Sequence, residues 1–124
     1  MRAAKFGRLR PLGDHMNEFD PAGLLCVRCD DAEWKASSFA PGLFVKDVAV
    51  AGGLEMQILR FEPGTRLPLH EHECPEFIYV LEGELVVAGQ RLGPGWASVA
   101  SVGSVHADVH SDTGCMLVLV DRPL

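Results

Sequence analysis

At 124 residues, with 48% hydrophobic and 23% charged residues, the chain has the size and composition of one globular domain. The net charge of −6 and the pI near 5.2 argue against nucleic acids and anionic membranes as partners, because both select a basic face. The longest apolar runs, Phe77–Leu81 and Met116–Val120, are too short to span a bilayer. No apolar segment follows the basic residues of Met1–Arg10, so we expect no signal peptide and a cytoplasmic protein.

The first part of the chain, residues 1–39, carries Gly, Pro, Asp and Asn at irregular intervals and shows no sustained hydrophobic period. Such punctuation is typical of turns and irregular segments. We therefore predict an N-terminal arm, or extra strands, over residues 1–39 and a barrel domain over residues 40–124.

The four cysteines include one C-x-x-C pair, Cys26 and Cys29. A zinc ribbon needs a second such pair, and a thioredoxin-like motif needs a helix after a strand; neither is evident. Cys74 and Cys115 stand alone. Because a cytoplasmic protein meets a reducing environment, we predict four free thiols and no structural disulfide.

From residue 40 onward, short segments rich in β-branched and aliphatic residues alternate with turns that contain Gly or Pro. The segments are LFVKDVAV, LEMQILRF, EFIYVLEGELVV, WASVASV, SVHADVH and CMLVLVD. Glu82 and Gly83 interrupt the third segment, a pattern typical of a hairpin turn. Six or more strands at this spacing predict an all-β sandwich or closed barrel.

The stretch GTRLPLHEHECPEFIYVLEG, residues 64–83, combines histidines and carboxylates with a strand-forming pattern. Residues two apart share one face of a strand, so His70 and His72 project together, and Glu76 keeps the same parity. Two imidazoles and a carboxylate suit a borderline divalent ion. A solvated polar face is the alternative. The run enters the most apolar strand, however, where unpartnered polar groups would be costly, so we favour a metal site.

This stretch resembles the first sequence motif of the cupin superfamily: a glycine, five residues, His-x-His, three or four residues, a glutamate, six residues and a glycine. The residues that match it, without a gap, are Gly64, His70, His72, Glu76 and Gly83. The resemblance implies an RmlC-like double-stranded β-helix, that is, a jelly-roll barrel, which holds one divalent metal ion.

A second stretch, GWASVASVGSVHADVH, resembles the second cupin motif, with Gly95, Gly103 and His106 in the expected places. It has Ser101 where proline is usual and His110 where asparagine is usual. The resemblance implies that His106 is the fourth metal ligand beside His70, His72 and Glu76. By its residues alone, His106 has no near partner in the sequence.

Two flanking segments, EWKASSFAPGLFVKDVA and HSDTGCMLVLV, are similar to the cupin half of ChrR-type anti-sigma factors and to single-domain diketone-cleaving dioxygenases. This similarity implies a metal-dependent oxygenase that acts on a small carbonyl or aromatic compound, assembled as a homodimer. The alternatives are a non-catalytic, metal-bound ligand sensor or regulatory module, and a storage barrel with a vestigial site. Fe, Mn, Ni and Zn all suit the ligands, and zinc would exclude redox chemistry.

Strand parity also predicts the lining of a largely apolar pocket for a small organic ligand. Parity with Glu76 directs Ile78 and Val80 inward and places Phe77 and Tyr79 on the other face. Arg60 is a candidate to hold a carboxylate or an enolate. The full set of candidate pocket residues is Met56, Ile58, Arg60, Ile78, Val80, Trp96, Ser98 and His110, of which His110 is better interpreted as a surface or strand-end residue.

Overall fold

The computed structural model describes residues 19–106 and 108–122, with the backbone alone at His106. Residues 1–18 of the predicted arm lie outside the described part of the chain. The described residues form twelve strands and one 3-10 turn, Cys29–Asp31. The strands are β1 (Lys35–Ala36), β2 (Leu43–Ala51), β3 (Leu54–Phe61), β4 (Thr65–Leu67), β5 (His70–Glu71), β6 (Glu76–Gly83), β7 (Leu85–Val87), β8 (Gln90–Leu92), β9 (Ala97–Ala100), β10 (Val105–His106), β11 (Val109–Ser111) and β12 (Cys115–Asp121).

The strands form a six-stranded sheet in the order β1-β2-β3-β12-β6-β9 and a four-stranded sheet in the order β4-β11-β7-β8. A third, two-stranded sheet joins β10 to β5. All neighbouring strands in these sheets are antiparallel. The predicted all-β jelly-roll barrel is thereby confirmed.

The core lies between the six-stranded and four-stranded sheets. It is filled by side chains from alternate residues of the strands, as β12 illustrates. In β12, Cys115, Leu117 and Leu119 are buried, while the residues between them are half-buried on the outer face. Leu67 of β4 and Leu85 of β7 close the core from the opposite sheet. Each fully buried aliphatic side chain of this kind contributes about 1.5–3 kcal/mol.

The chain crosses from one sheet to the other at Gly83. The predicted hairpin at Glu82-Gly83 is wrong, because β6 pairs with β12 and β9, whereas β7 pairs with β11 and β8. Gly83 has a positive φ of 76°, and β6 and β12 shift register by one residue between Met116 and Leu117. The sequence signal for a turn was therefore correct, but the turn redirects the strand instead of folding it back.

Part of the predicted arm belongs to the six-stranded sheet, since β1 pairs with β2 through Lys35 and Val45. Next to it, Trp34 lies against the outer face of the sheet, with the Arg60 guanidinium 4.6 Å from its ring centre and the Lys46 Nζ 4.8 Å from it. None of the described residues belongs to a helix with the length and hydrophobicity needed to cross a bilayer.

Candidate metal centre and cavity

Two turns define the ends of the segment that carries the candidate ligands. Gly64 has a φ of 84° and its N–H donates to the Ser111 carbonyl at 2.9 Å, which fixes the start of β4 against β11. Pro68 and Pro75 then interrupt strand pairing before β5 and before β6, because proline has no N–H to donate. The short β5 consequently belongs to neither main sheet and pairs only with β10 among the described strands.

The turn after β9 is joined to this segment through the backbone of His72. The His72 N–H donates to the Ser104 carbonyl at 2.9 Å, and the Gly103 N–H donates to the His72 carbonyl at 2.7 Å. One step further, β5 and β10 pair so that His106 lies directly opposite His70 in the register. The two stretches that resemble cupin motifs are thus held together by main-chain hydrogen bonds.

The side chains of His70, His72 and Glu76 are neighbours. The two imidazole rings are 4.8 Å apart between centres and nearly perpendicular, at 77°. The His72 Nδ1 lies 3.6 Å from the Glu76 Oε2, and the two side chains are only 3% and 11% exposed. A buried imidazole beside a nearly buried carboxylate is costly unless both are compensated, so this end of the barrel is a candidate functional site.

The tautomer of His70 follows from its hydrogen bond. Its Nδ1 lies 2.9 Å from the Pro68 carbonyl oxygen, and since a carbonyl can only accept, Nδ1 must carry the proton. In the neutral ring the lone pair is then on Nε2. Metal-binding histidines commonly have this arrangement, in which one ring nitrogen donates to a carbonyl and the other binds the ion. The edge of the Phe39 ring packs against the imidazole, with 5.4 Å between ring centres.

The donor types fit a divalent ion. Two ligands that are each about 2.1 Å from one ion are themselves about 3.0–3.4 Å apart, close to the separation of 3.6 Å between His72 and Glu76. Among the described side chains, which do not include that of His106, no three His, Cys, Asp or Glu residues form a complete ion-binding group. The described part of the site therefore supplies suitable donors without a finished coordination shell.

A cavity of about 260 Å³ adjoins these three side chains and extends between the two main sheets. Its wall is mainly apolar, and its described lining contains no lysine or arginine. Beyond the histidines and Glu76, the polar side chains that line it are Gln90 and Ser98. The apolar residues of the lining include Leu59, Phe61, Leu67, Ile78, Leu85, Val87, Leu92, Trp96, Val109, Leu117 and Leu119.

The family described as the ChrR cupin-like domain matches residues 23–124 of the sequence. The chain belongs to this family. No curated protein matches the sequence. The resemblance to cupins drawn from the two motifs, and to the ChrR type in particular, is confirmed.

Solved structures with a similar fold include a dioxygenase and a complex that contains an anti-sigma factor. An acetylacetone dioxygenase from Acinetobacter johnsonii is 12% identical with a TM-score of 0.67, covering 84% of this chain and 76% of that one. KdgF from Halomonas sp. is 26% identical with a TM-score of 0.69, covering 79% and 92%. The structure of SigE in complex with the anti-sigma ChrR, from Rhodobacter sphaeroides, is 22% identical with a TM-score of 0.64, covering 75% and 50%. These likenesses support the cupin fold.

Strand β6 of the cupin barrel has the parity that the sequence predicts. Ile78 faces inward and lines the cavity with Glu76, whereas Phe77 and Tyr79 are about half exposed on the outer face. Val80 keeps the inward parity but is fully buried and lies outside the cavity lining. Trp96 and Ser98, two other candidate pocket residues, also line the cavity.

Strand β3 has the opposite parity to the one assumed for the pocket. Met56, Ile58 and Arg60 lie on the outer face, because the buried residues of β3 are the odd-numbered ones. The guanidinium of Arg60 stacks on Trp34 and Phe44 and does not line the cavity. The residues of β3 that line the cavity are instead Leu59 and Phe61, which lie on the inner face of the strand.

His110 also lies away from the cavity lining. Its Nδ1 is 3.0 Å from the Asp108 carboxylate and its Nε2 is 3.4 Å from that of Asp112. The interpretation of His110 as a surface or strand-end residue is wrong as well, because His110 is the middle residue of β11, pairs with Arg66 and Val86, and is only 13% exposed.

The β7–β8 hairpin, in which the sequence predicts no pocket residue, brings Ala88 and Gln90 to the cavity wall. Ala88 has a positive φ of 49° before Gly89, a pair typical of a tight two-residue turn. The dipeptide Ala88-Gly89 was the sequence signal from which this turn could have been predicted.

Proposed function

We propose that the chain is a homodimeric, mononuclear metal-dependent oxygenase that acts on a small, uncharged carbonyl or aromatic compound. The observation that carries this proposal is the position of His70, His72 and Glu76 in the wall of a largely apolar cavity. Two imidazoles and a carboxylate beside a space for an organic molecule form the arrangement expected of a metal-assisted reaction.

The proposed ion is held by His70, His72, Glu76 and His106. The first three are supported by their proximity and by the tautomer of His70. For His106 the support is its backbone pairing with His70. A bound iron, manganese or nickel ion would supply one-electron chemistry and open coordination positions, whereas zinc would supply only Lewis acidity.

The substrate class follows from the size and polarity of the cavity. At about 260 Å³ it is smaller than typical drug-binding pockets, which start at roughly 300 Å³. With no lysine or arginine in the described lining, a phosphate or a remote carboxylate would lose its hydration without gaining an ion pair with such a side chain. Ser98 and Gln90 can donate hydrogen bonds to a carbonyl oxygen, and the apolar wall suits the remainder of a small organic molecule. The dioxygenase among the similar structures is consistent with this choice.

A ligand sensor is the second candidate, and the family favours it. The matching family is named after ChrR, and one similar structure contains the anti-sigma ChrR bound to SigE. In that case the same cavity would bind a metal and a small molecule without turnover. Stoichiometric zinc would favour this alternative, because zinc does not perform the electron transfer that an oxygenase needs.

Metal analysis of untagged protein, purified without oxygen, tests the first step. We expect one divalent ion per chain in the wild type. In His106→Ala we expect a metal affinity at least about 10–100-fold weaker, because changes to residues that only support metal ligands already lower the affinity by that factor. The melting temperature of this variant at fixed metal concentration should also be lower. His110→Ala is the matched control and should retain the ion. If His106→Ala retains the ion while His110→Ala loses it, the fourth ligand is misassigned. If neither change matters, the four-ligand site is refuted.

Oxygen uptake separates the two candidates. The metal-loaded protein is presented with a panel of small diketones and catechols, and dissolved oxygen is followed with an electrode. Substrate-dependent uptake that requires iron, manganese or nickel supports the oxygenase. A raised melting temperature with one of these compounds, without oxygen uptake and with zinc bound, supports the sensor.

A further inference from the structure

The exposed residues of the lining show where the cavity meets the solvent. They all lie on β9, directly before it, or in the β7–β8 hairpin, and they are Ala88, Gln90, Trp96, Ala97 and Val99. Every other described residue of the lining is buried or half-buried. In the described sheets, β9 and β8 are edge strands, one in each main sheet. The mouth of the cavity therefore lies between these two edges.

Trp96 is the largest side chain at this mouth. It is 57% exposed although it lines the cavity, and it has the parity of Ser98 and Ala100, which also line the cavity. Its backbone is fixed on both sides. The Val80 N–H donates to the Trp96 carbonyl at 2.9 Å, and the Trp96 N–H donates to the Gly93 carbonyl at 3.1 Å. A hydrogen-bonded main chain thus holds a wide aromatic surface at the entrance.

The residues of β9 give the cavity a long axis with different groups along it. Glu76, at the candidate metal centre, pairs with Ala100. Ser98 comes two residues before Ala100, and Trp96 comes four residues before it. At about 3.3 Å per residue, Ser98 is roughly 7 Å and Trp96 roughly 13 Å from the Glu76 row along the strand. The wall therefore presents the candidate metal centre, then a hydroxyl group, then an indole.

This order determines which ligand can use the whole length of the cavity. A diketone with methyl groups at both ends is roughly 5 Å long, given about 1.5 Å per C–C bond. When its oxygen atoms are held at the Glu76 end, such a molecule ends near Ser98 and leaves the Trp96 indole without a contact. An aryl ring in place of one methyl group extends the molecule by roughly 4 Å and closes most of the remaining gap.

We propose that Trp96 determines the ligand specificity of the cavity. The ligand is elongated, with its oxygen atoms at the Glu76 end and a planar, uncharged group such as an aryl ring against the Trp96 indole. Aromatic rings pair favourably with about 4.5–7 Å between their centres, and a ligand ring at the mouth covers indole surface that is otherwise exposed. This inference rests on the proposed function only in that the cavity binds an uncharged carbonyl compound, and it holds for the oxygenase and the sensor alike.

Isothermal titration calorimetry with two matched diketones tests the inference. The protein is loaded with one equivalent of zinc and kept without oxygen, so that neither probe is turned over. The probes are 2,4-pentanedione and 1-phenyl-1,3-butanedione, which present the same pair of oxygen atoms and differ by one phenyl ring. We expect the wild type to bind the phenyl compound at least about 10-fold more tightly, since a stacked aromatic pair alone contributes up to about that factor.

Substitutions at position 96 should change this preference and leave the binding of the shorter probe unaltered. Trp96→Ala should lower the ratio of the two dissociation constants by about 10-fold, while the dissociation constant of 2,4-pentanedione stays the same. Trp96→Phe keeps a ring and should preserve most of the ratio. Trp34→Ala is the matched control, because Trp34 is the other tryptophan and lies on Arg60 at the outer face of the sheet. It should leave the ratio unchanged, and melting curves establish that each variant is folded.

Three results would overturn the inference. If the wild type binds both probes equally, or if Trp96→Ala leaves the ratio unchanged, Trp96 does not select the ligand, while the proposed function stands because 2,4-pentanedione binds. If Trp96→Ala changes the affinity for both probes by the same factor, the indole closes the mouth without recognising the ring. If the folded wild type binds neither probe, the substrate class of the proposed function is refuted together with this inference.

Discussion

Gly83 is the glycine that closes the first cupin motif. Its replacement by alanine should destabilise the fold by more than the backbone cost of a lost glycine alone. A Cβ built on Gly83 would lie 2.1 Å from the Gly114 carbonyl oxygen and 2.6 Å from the Cys115 Cα. These are backbone atoms, so no side-chain rotation relieves the collision. The positive φ of 76° costs a non-glycine residue about 1–2 kcal/mol, and forced overpacking adds about 1–3 kcal/mol. We expect Gly83→Ala to destabilise the fold by about 2–5 kcal/mol.

Urea unfolding followed by circular dichroism measures this loss, and Gly64→Ala is the matched control. Gly64 is the glycine that opens the same motif and has a similar φ of 84°, but a Cβ there meets nothing within 4 Å. It should lose only the backbone cost of about 1–2 kcal/mol. If the two variants have the same free energy of unfolding, the close approach of β6 to Gly114 and Cys115 does not explain why glycine stands at position 83.

Two further predictions concern the core. Burial raises the pKa of the Cys115 thiol to about 11 from 9.0, although a hydrogen bond with Ser111 opposes the shift. As the pH rises, the thiol therefore ionises first in the unfolded state. Up to about 2–3 kcal/mol of stability that is present below pH 9 should be lost between pH 9 and 11. Urea unfolding at both ends of this range checks it, and an equally steep pH dependence in Cys115→Ala would contradict it. Leu59→Ala should cost about 2–5 kcal/mol, because Leu59 is buried in the core and lines the cavity. Leu54→Ala, at an exposed leucine of the same strand, should cost less than 1 kcal/mol, and similar losses in both would contradict the assignment of the inner face of β3.

The strands and the inner face of β6 could be predicted because the evidence for them is local. Each long strand is a run of apolar residues bounded by Gly or Pro, and one polar residue of known parity, Glu76, fixes which residues of β6 face inward. The register shift between β6 and β12 falls beyond Val80, so the parity survives over the part of the strand that borders the cavity. The motif spacing likewise anticipated the juxtaposition of His70 with the distant His106.

The inner face of β3 could not be predicted, because it depends on polar contacts between residues distant in the sequence. Its buried residues include Glu55 and Gln57, which by type belong outside. The Gln57 amide donates to the Asp47 carboxylate at 2.8 Å, and Lys35 of β1 forms an ion pair with the same carboxylate. Only the assembled sheet brings these partners together, so alternation read from the sequence placed the apolar Met56 and Ile58 inside.

The departure from the cupin pattern at Ser101 illustrates how the site tolerates substitution. Proline at this position would rigidify the turn by fixing its own φ. Here the Ser101 carbonyl accepts two hydrogen bonds from Ser104, one from its N–H at 3.1 Å and one from its hydroxyl at 2.7 Å. The turn closed in this way presents Gly103 and Ser104 to the backbone of His72. Since these contacts involve the main chain, the position of His72 depends on the shape of the turn and not on the side chain at position 101, and the loss of proline leaves the candidate centre assembled.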